Sequence, residues 1–474
     1  MRFYSSLLFI FIFQINFSQE IIYEADVNLS FPDLKETMAF VDDFGRPNIF
    51  FIDSKEITQI TLNEKRKESE KTFPRPPETF PRIQGYDIGS DNSINLYYSN
   101  YGGDGFFLMS LAEDKEPYAK QFDLKFDSHE RFLSTVNSKN QFYLLTYIKD
   151  QSIINIYSFD KDGHTVQTHD LSNFSFYNPN NNLTPLGSLL DKEETEVIED
   201  NIPYSISKVS KKIKIYPKED YLIISLNHRS SGTRIIKINL NDSTNSSHFI
   251  DNIGAGDIKK ANSFIEDSKL FQFSVSSEIL VLSIHDIESQ EKLVDFSIKK
   301  GQDHLFKNSP IYQEGSLPYA PFPKTSGNNR AEIKTSQEFL RKLSNSEIGI
   351  YALVDKGIIE ITLGGIKEAT VSGRMISYSS FGVSVSPVYW NFINYIASRS
   401  VLTKLVFNSE TLSHMDKKAT NNVFDRISMK SRYLKNSVLK KKLKLENIFK
   451  KDDYFLYGYY NKKEKTYSLM KFDK

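Results

Sequence analysis

The sequence predicts an all-β protein built from repeated antiparallel sheets, and three observations lead to this fold class. A short hairpin recurs eight times along the 474 residues. Its strands are rich in β-branched and aromatic residues, and they are bounded by Gly, Asn, Asp and Ser, as is typical of strands and turns. A further strand-like stretch precedes the first hairpin. Repetition on this scale usually sets the architecture of a whole domain.

The closing strand of each hairpin ends on a similar apolar residue. The spacing of 49 residues between the first two of these anchors, Leu62 and Leu111, is typical of one blade of a repeat protein. The longer steps that end at Leu240 and Leu363 predict insertions between blades. The eight anchors are Leu62, Leu111, Phe159, Leu240, Ile284, Leu363, Phe407 and Phe472.

An apolar strand opens each hairpin, and a further strand is expected before it. Among these additional strands we predict 131–136, 337–343 and 447–450. We predict the opening strands over residues 48–52, 94–98, 142–147, 221–226, 270–275, 348–354, 392–396 and 454–460.

Three meandering strands followed by a fourth form the blade of a β-propeller. The last repeat ends after its third strand, so the N-terminal stretch 21–29 is expected to complete that blade and close the ring. The chain resembles bacterial secreted β-propeller repeat proteins in general, and it matches no specific family. We therefore predict a single propeller domain over 20–474, with eight four-stranded blades, or seven or six if terminal repeats share a blade.

The N-terminus predicts export. Arg2 precedes an apolar stretch over 7–13, and polar residues lead to Gln19, as in a secretory signal peptide over 1–19. This stretch is shorter than the roughly 20 apolar residues of a membrane span, and no later stretch is long enough. The mature chain is expected to be periplasmic or extracellular and not membrane-spanning. The absence of cysteine excludes disulfides and thiolate metal sites.

Charge and motif content narrow the function classes. The 60 basic and 60 acidic residues balance, which disfavours nucleic acid as a partner. The chain has no phosphate-binding or dinucleotide-binding fingerprint, so no cofactor is expected. The eight histidines lack zinc-site spacing, and the Asp160–Gly163 segment lacks the later ligands of a calcium loop and fits a turn. No metal site is predicted.

Three loop insertions are expected on one face of the ring. They lie near 172–207, 300–335 and 413–446, and the last of these is basic and partly helical in pattern. In a propeller, such connections emerge beside the turns that join the second and third strands. Long loops on a rigid scaffold usually carry function.

Six residues on these loops and turns are candidates for binding. His228 and Arg229 occupy the turn of the fourth repeat, where an imidazole beside a guanidinium could bind an acidic sugar or take a proton from it. Exposed polar turn residues would look the same. Aromatic candidates could stack on a sugar ring or a peptide, although packing within blades is the alternative. They are Tyr101, Tyr312, Tyr319 and Phe322.

The favoured function is a non-enzymatic scaffold that binds a protein or a polysaccharide through the face bearing the loops. The alternative is a carbohydrate-active enzyme, a polysaccharide lyase or hydrolase, with its site at the mouth of the central channel. Some propeller lyases use His, Tyr and Arg there, and His228, Arg229 and Tyr101 could take these parts. The sequence identifies no catalytic residue, and it predicts neither the ligand nor the oligomeric state.

Overall fold

The computed structural model confirms an all-β fold. Its described residues are mostly strands, with a few short helices and one longer one. The structure describes residues 20–27, 36–53, 55–63, 68–112, 115–199, 204–252, 258–302, 308–314, 330–368, 398–436 and 443–473.

Within these residues the strands form seven sheets, numbered 1 to 7 here by their order in the chain. The first strand, β1 (Ile21–Asp26), belongs to sheet 7. Sheets 1 to 3 are four-stranded antiparallel meanders in chain order. Sheet 1 consists of β2 (Glu36–Val41), β3 (Pro47–Ile52), β4 (Glu56–Leu62) and β5 (Glu68–Pro74). Sheet 2 consists of β6 (Arg82–Ile88), β7 (Ile94–Ser99), β8 (Gly105–Leu111) and β9 (Tyr118–Asp123). Sheet 3 consists of β10 (Glu130–Ser138), β11 (Gln141–Ile148), β12 (Ile153–Phe159) and β13 (His164–Asp170).

Sheet 4 adds a short parallel strand to a four-stranded meander. The segment before it contains the helix α1 (Leu186–Leu190), and a second helix, α2 (Ile206–Val209), follows the added strand. Sheet 4 consists of β14 (Thr195–Val197), β15 (Ile213–Pro217), β16 (Tyr221–Leu226), β17 (Gly232–Asn239) and β18 (Asn245–Asp251). Sheet 5 consists of β19 (Lys260–Glu266), β20 (Lys269–Val275), β21 (Ile279–Asp286) and β22 (Lys292–Lys299).

Sheet 6 departs from the repeat pattern. Its strand order is β24-β23-β27-β26-β25, and α3 (Ser336–Ser344) precedes β25 in the chain. Its strands are β23 (Ile311–Glu314), β24 (Arg330–Ile333), β25 (Glu347–Asp355), β26 (Ile358–Glu368) and β27 (Ser398–Asn408). After α4 (Val423–Asn436), sheet 7 contains β28 (Leu443–Lys451), β29 (Tyr454–Asn461) and β30 (Thr466–Asp473), with β1 beside β30.

Two sequence predictions for this region are wrong. The sixth and seventh repeats, assigned to separate blades, lie in one sheet as the neighbours β26 and β27. The expectation of eight blades is therefore not confirmed, since the described residues form seven sheets. Residues 337–343, predicted as a strand, belong to α3. The predicted opening strand 392–396 lies outside the described residues.

Aromatic side chains join neighbouring sheets. Phe40 and Tyr86 stack with ring centroids 3.7 Å apart between sheets 1 and 2. Tyr97 and Phe142 stack at 4.4 Å between sheets 2 and 3. Each fully buried ring of this kind stabilises the fold by about 1.5–3 kcal/mol. Continuous apolar clusters also connect sheet 3 to sheet 4, and sheet 4 through sheet 5 to sheet 6.

The first strand pairs with the last. β1 lies antiparallel to β30, with Tyr23 opposite Leu469, and the hydroxyl of Tyr460 donates to the carbonyl oxygen of Val27 at 3.1 Å. Sheet 7 also shares an apolar cluster with sheet 1. On its other side, sheet 7 packs against α4 and against Leu353 of sheet 6. Together these contacts give the sheets a propeller-like arrangement.

Candidate functional site

A pocket opens on sheet 4, where the turn after β16 meets the insertion that follows β13. Its volume is about 270 Å³, including space open to solvent. The turn contributes His228 and Arg229, the two residues that the sequence singles out in this repeat. The pocket is lined by Phe176, Tyr177, Leu189, Leu226, His228, Arg229, Gly232, Arg234 and Phe249.

Strand register places one wall of the pocket. Leu226 of β16 lies opposite Arg234 of β17, which in turn lies opposite Phe249 of β18. Residues opposite one another in neighbouring strands project from the same face of a sheet. Gly232 begins β17 so close to β18 that a Cβ atom there would lie 2.4 Å from the carbonyl oxygen of Ile250. A glycine is therefore required where the turn rejoins the sheet.

The insertion forms the other wall. Phe176 is buried, whereas Tyr177 is about one-third exposed and pairs through a β-bridge with Leu183. Between them, the side chain of Asn178 accepts hydrogen bonds from the backbone N–H of Asn180 at 2.9 Å and of Asn182 at 3.1 Å. Asparagine commonly fixes a turn in this way. The asparagine-rich segment 178–182 is thus an ordered turn that holds Tyr177 at the rim.

Two guanidinium groups and three aromatic rings are linked by cation–π contacts in a cluster that we call the arginine ladder (Tyr177, Arg229, Phe249, Arg234 and Phe176). The Cζ atom of Arg229 lies 5.4 Å from the ring centroid of Tyr177 and 5.0 Å from that of Phe249. The Cζ atom of Arg234 lies 5.3 Å from the Phe249 centroid and 6.0 Å from that of Phe176. Each guanidinium therefore lies within cation–π distance of two rings.

Neither arginine of the ladder has an acidic partner among the described residues. Arg234 donates one hydrogen bond, to the carbonyl oxygen of Ser175 at 3.0 Å, and the Nε of Arg229 has no hydrogen-bond acceptor within the protein. Asp251, the acidic residue nearest to the ladder along β18, is exposed and forms no ion pair with either arginine. Burial and the neighbouring Arg229 lower the pKa of Arg234, although a guanidinium stays protonated in proteins. The pocket consequently carries an uncompensated positive charge.

His228 is neutral in this environment. Burial, and to a lesser extent the positive charge of Lys212, lower the pKa of His228 to about 4. Neither ring nitrogen has a hydrogen-bond partner within the protein. Neutral imidazole has one donor and one acceptor. Both nitrogens are buried, so a polar ligand could exchange hydrogen bonds with His228 only if the pocket opened to expose them.

The second half of the same insertion covers one edge of sheet 4, the edge formed by β15. β14 pairs in parallel with β15, the strand whose free edge faces the axis of a propeller. α2 follows it and packs on β25, where a Cβ on Gly349 would lie 2.9 Å from the backbone nitrogen of Ser210. The ring of Tyr204 lies 6.2 Å from that of Tyr351, also in sheet 6. The described parts of this segment therefore contact both sheet 4 and sheet 6.

The other predicted site residues are not brought together with the pocket. Tyr101 is largely exposed in the turn before β8, on sheet 2, where the guanidinium of Arg82 lies 5.1 Å from its ring centroid. Tyr312 is half-buried in β23 of sheet 6, opposite Leu402 of β27. Tyr319 and Phe322 lie outside the described residues. The structure thus separates Tyr101 from His228 and Arg229.

The described residues contain neither a metal-binding cluster nor a membrane-spanning helix. In the described ranges, no three His, Cys, Asp or Glu side chains are grouped closely enough to hold a metal ion. No helix in the described part of the chain is both long and apolar enough to cross a membrane.

Sequence reasoning missed the residues that other strands bring to the pocket. Arg234, Phe249, Phe176 and Tyr177 were not candidates, although each is polar or aromatic beside a turn. The available signal was alternation along β17 and β18, which puts Arg234 and Phe249 on one face once the register is known. The register itself is a long-range property that no single strand encodes.

Comparison with known proteins adds little to these observations. No protein-family model matches the chain, and no curated protein matches it. Among solved structures, the WD40 domain of SCAP from fission yeast is 10% identical, with a TM-score of 0.32, over 96% of this chain and 97% of that one. A puromycin-hydrolyzing peptidase from Mycobacterium tuberculosis is 10% identical, with a TM-score of 0.33, over 92% of this chain and 52% of that one.

A third similarity is to an uncharacterized protein from Listeria monocytogenes EGD-e. It is 12% identical, with a TM-score of 0.25, over 58% of this chain and 70% of that one. Similarity this weak says nothing about activity, ligand or partner. Any function must therefore be argued from the pocket.

Proposed function

We propose that this protein is an exported scaffold that binds a protein or a glycan through the face carrying the pocket. In this proposal its sheets close into a seven-bladed β-propeller. The pairing of β1 with β30 supports closure. So do the packing of sheet 7 on sheet 1 and its contacts with Leu353 and α4 on the other side. A closed ring leaves no long sheet edge free to pair with other chains.

The single observation that carries the binding role is the arginine ladder. Two guanidinium groups lie in a pocket without any acidic partner among the described residues, beside an imidazole whose nitrogens are unpaired. Both arginines are half-buried, and a cation that has lost part of its hydration gains from pairing with an anionic or polar group. A partner that brings negative charge or polar oxygen atoms would satisfy these groups.

The position of the pocket bears on the site predicted at the channel mouth. In a propeller, the free edge of β15 faces the central axis, and there β14, Tyr204 and α2 would fill the channel. The pocket lies to one side of that segment, between the β16–β17 turn and the insertion. The proposed binding site is therefore beside the axis, on the face that carries the turns between second and third strands.

Single-cysteine variants can test which face binds, because the chain contains no cysteine. Leu183 is 70% exposed at the rim of the pocket, and Phe44 is 57% exposed in a turn between first and second strands. In an antiparallel meander, a turn between the first and second strands lies at the opposite end of the strands from a turn between the second and third strands. A maleimide-linked polymer on Leu183→Cys should block binding to the positive members of a panel of purified polysaccharides and envelope proteins. The same label on Phe44→Cys should leave binding unchanged, and the reverse pattern would refute the proposed face.

Export is part of the proposal. The basic residue and apolar stretch within residues 1–19 support it. Expression of the full chain in a bacterium, followed by cell fractionation and N-terminal sequencing, provides the test. A mature protein that begins near Gln19 and lies outside the cytoplasm is expected. A full-length protein retained in the cytoplasm would contradict export.

One observation favours the enzymatic alternative, and within it a lyase. A neutral imidazole next to a guanidinium could remove the proton beside a sugar carboxylate whose charge the arginine offsets. The bond to the leaving sugar oxygen would then break, the imidazolium would give its proton to that oxygen, and a carbon–carbon double bond would remain. Hydrolases usually need two carboxylic acids, and none lines the pocket in the described residues. A rise in ultraviolet absorbance with uronate polymers, lost in His228→Gln, is expected of a lyase; no rise would exclude it.

A further inference from the structure

Lys214 is a lysine at the contact between sheets 4 and 5, and its side chain is fully buried. Its Nζ atom donates hydrogen bonds to the carbonyl oxygen of Lys211 at 2.8 Å and to the Oδ1 atom of Asn262 at 2.5 Å. Among the described residues, no carboxylate forms an ion pair with it. The two acceptors match the two N–H groups of a neutral amine, whereas an ammonium group has three.

Burial sets the charge of this amine. It lowers the pKa of Lys214 well below its ordinary value, and the nearby charge of Lys212 adds to this shift, while Glu196 opposes it. Desolvation of this kind makes a lysine neutral at moderate pH. A neutral amine keeps its lone pair and is a nucleophile. Because Lys214 is sealed from solvent, a group inside the protein is best placed to react with it.

Asn262 of β19 presents its amide to this nucleophile in a fixed position. It is 1% exposed, and its Nδ2 atom donates to the carbonyl oxygens of Ser210 at 2.9 Å and Ile348 at 2.7 Å. Its Oδ1 atom also accepts a hydrogen bond from the backbone N–H of Ser263 at 2.8 Å. The amide carbon lies one bond from the oxygen that Lys214 contacts. The N–H of Ser263 can stabilise negative charge that develops on that oxygen.

A carboxyl group lies on the strand next to Lys214. Glu196 of β14 is opposite Lys214 in the parallel pairing of β14 with β15, so both side chains project from the same face of sheet 4. The side chain of Glu196 is 18% exposed and pairs with Lys208 at 2.7 Å. A carboxyl group can take a proton from one nitrogen and give it to another. An amine, an amide and a carboxyl group are therefore combined at one contact between sheets.

From these features we infer that Lys214 and Asn262 form an isopeptide bond that joins sheet 4 to sheet 5. The lone pair of Nζ forms a bond to the Cγ atom of Asn262, and the electrons of the carbonyl double bond move to Oδ1. These electrons then return, the bond from Cγ to Nδ2 breaks, and Nδ2 leaves as ammonia. The proton that ammonia requires comes from Nζ through Glu196. The reaction needs no cofactor or oxidant, and it does not depend on what the protein binds.

The bond gives the chain a covalent cross-link that its composition otherwise excludes. The chain contains no cysteine, so it cannot form a disulfide. A bond between residues 214 and 262 closes a loop that spans two neighbouring sheets. Closing such a loop reduces the entropy of the unfolded chain and thereby stabilises the folded one. Sheets 4 and 5 then stay joined even when the rest of the chain unfolds.

Mass spectrometry of the full mature protein tests the inference. The cross-linked chain is expected to be lighter than its sequence mass by one ammonia molecule. Cyclisation of an N-terminal glutamine also releases ammonia, so the bond must be located in a tryptic digest. Trypsin does not cleave at an acylated lysine, and a branched peptide that joins 213–218 to 261–269 is therefore expected. Separate peptides, with cleavage after Lys214, would overturn the inference.

Two variants remove the reacting groups. Lys214→Met and Asn262→Ala should each give no branched peptide. The matched control is Lys211→Met, which removes a lysine side chain paired with Glu194 but keeps the backbone carbonyl that Lys214 contacts. It should give the branched peptide as the wild type does. A branched peptide that persists in Lys214→Met would show that another amine reacts, and this result would contradict the inference.

Glu196→Gln tests the path of the proton. Formation of the branched peptide, followed over time after synthesis is induced, should be slowed by about tenfold or more, because proton transfer loses its carboxyl group. Glu194→Gln is the control, since it changes a more exposed carboxylate of the same segment and should leave the rate unchanged. Equal rates in both variants would overturn the role of Glu196. Circular dichroism of each variant verifies folding before the digests are compared.

Discussion

Two clusters that contain basic side chains in this protein are built in opposite ways. On sheet 6, the Nζ atom of Lys404 lies 2.6 Å from an oxygen of Glu360 and also contacts Asp425 of α4. Asn422 adds a hydrogen bond to Glu360 at 2.5 Å. On sheet 4, Arg229 and Arg234 have aromatic neighbours and no acidic partner among the described residues. The first cluster fastens α4 to its sheet, whereas the second leaves its charge for something outside the chain.

This difference separates a structural site from a binding site. A buried cation with an internal carboxylate is satisfied, and burial raises the pKa of Glu360 even though the adjacent Lys404 opposes that shift. A half-buried cation held by rings, such as Arg229 or Arg234, keeps donors that are not paired within the protein and are available to a ligand. The clusters should therefore respond to mutation in different ways: the first through stability and the second through binding.

The largest effect is expected from Lys404→Met. Its side chain is 15% exposed and that of Glu360 is 11% exposed, so the variant leaves a buried carboxylate without its cation. We expect the free energy of unfolding in urea to fall by about 3–5 kcal/mol. The control is Lys237→Met, which breaks an exposed pair with Glu288 and should cost about 1 kcal/mol or less. Equal losses in both variants would contradict the structural role of Lys404.

The next largest effect concerns pH. The pKa of His228 is lowered in the folded protein to about 4, from an ordinary value near 6.5, so the unfolded chain binds this proton more readily. Its contribution is therefore fully present above about pH 6.5 and is lost as the pH falls to about 4, by as much as roughly 3 kcal/mol. Unfolding of His228→Gln should depend less on pH across this window. Identical pH profiles for wild type and variant would show that His228 is not shielded from protons.

The stability contribution of Asp87 depends on pH in the opposite direction to that of His228. Asp87 is therefore a control for the direction of the pH effect. Burial raises the pKa of Asp87 to about 6, against the opposing hydrogen bonds from Tyr97 and Asn95. Its contribution is present below an ordinary pKa near 4 and is lost as the pH rises through about 6. The variant Asp87→Asn should therefore reduce the loss of stability as the pH rises through about 6. In contrast, His228→Gln should reduce the loss of stability as the pH falls towards about 4.

A smaller effect is expected from Gly232→Ala at the base of the ladder. The added Cβ would lie 2.4 Å from the carbonyl oxygen of Ile250 and 2.6 Å from the ring of Phe249. Relief of this overlap should cost about 1–3 kcal/mol and displace Phe249 from between the arginines. Gly163→Ala is the control, because nothing lies within 4 Å of a Cβ there. Thermal unfolding should separate the two variants; equal melting temperatures would contradict the close approach.

The smallest change in stability is expected from Arg234→Gln. The variant removes the cation–π contacts with Phe249 and Phe176, worth about 0.5–1 kcal/mol each, but it also relieves the proximity of two like charges. We expect the free energy of unfolding to change by about 1 kcal/mol or less. A loss as large as that of Lys404→Met would make Arg234 a structural residue, and the contrast between the two clusters would disappear.

The sequence predicted where the strands lie better than it predicted which strands pair with one another. The opening and closing strands of the early repeats were found because alternation and β-branched residues mark a strand locally. The pairing within sheet 6 was not predicted, because β26 and β27 carry the same repeat signature and the edges of any two such strands can pair. Residues 337–343 were taken as a strand, but Thr335 caps the helix by accepting a hydrogen bond from the N–H of Glu338 at 3.2 Å. Phe339, Leu340 and Leu343 also follow helical spacing.

The sequence also identified only part of the site, because it shows local features but not which strands pair. His228 and Arg229 are adjacent in the chain, and a turn with two such side chains is visible in the sequence. Arg234, Phe249 and Phe176 reach the pocket from two strands and an insertion, through pairing across the sheet. Tyr101 was grouped with His228 because both lie in equivalent turns. Equivalent turns in different blades share a face but not a pocket.

A crystal structure of the protein bound to the tightest-binding member of the purified polysaccharides and envelope proteins tests the central claim most directly. The account predicts that this partner contacts Arg229 and Arg234 beside the pocket on sheet 4. A partner bound at another site, with no contact to either arginine, would contradict it.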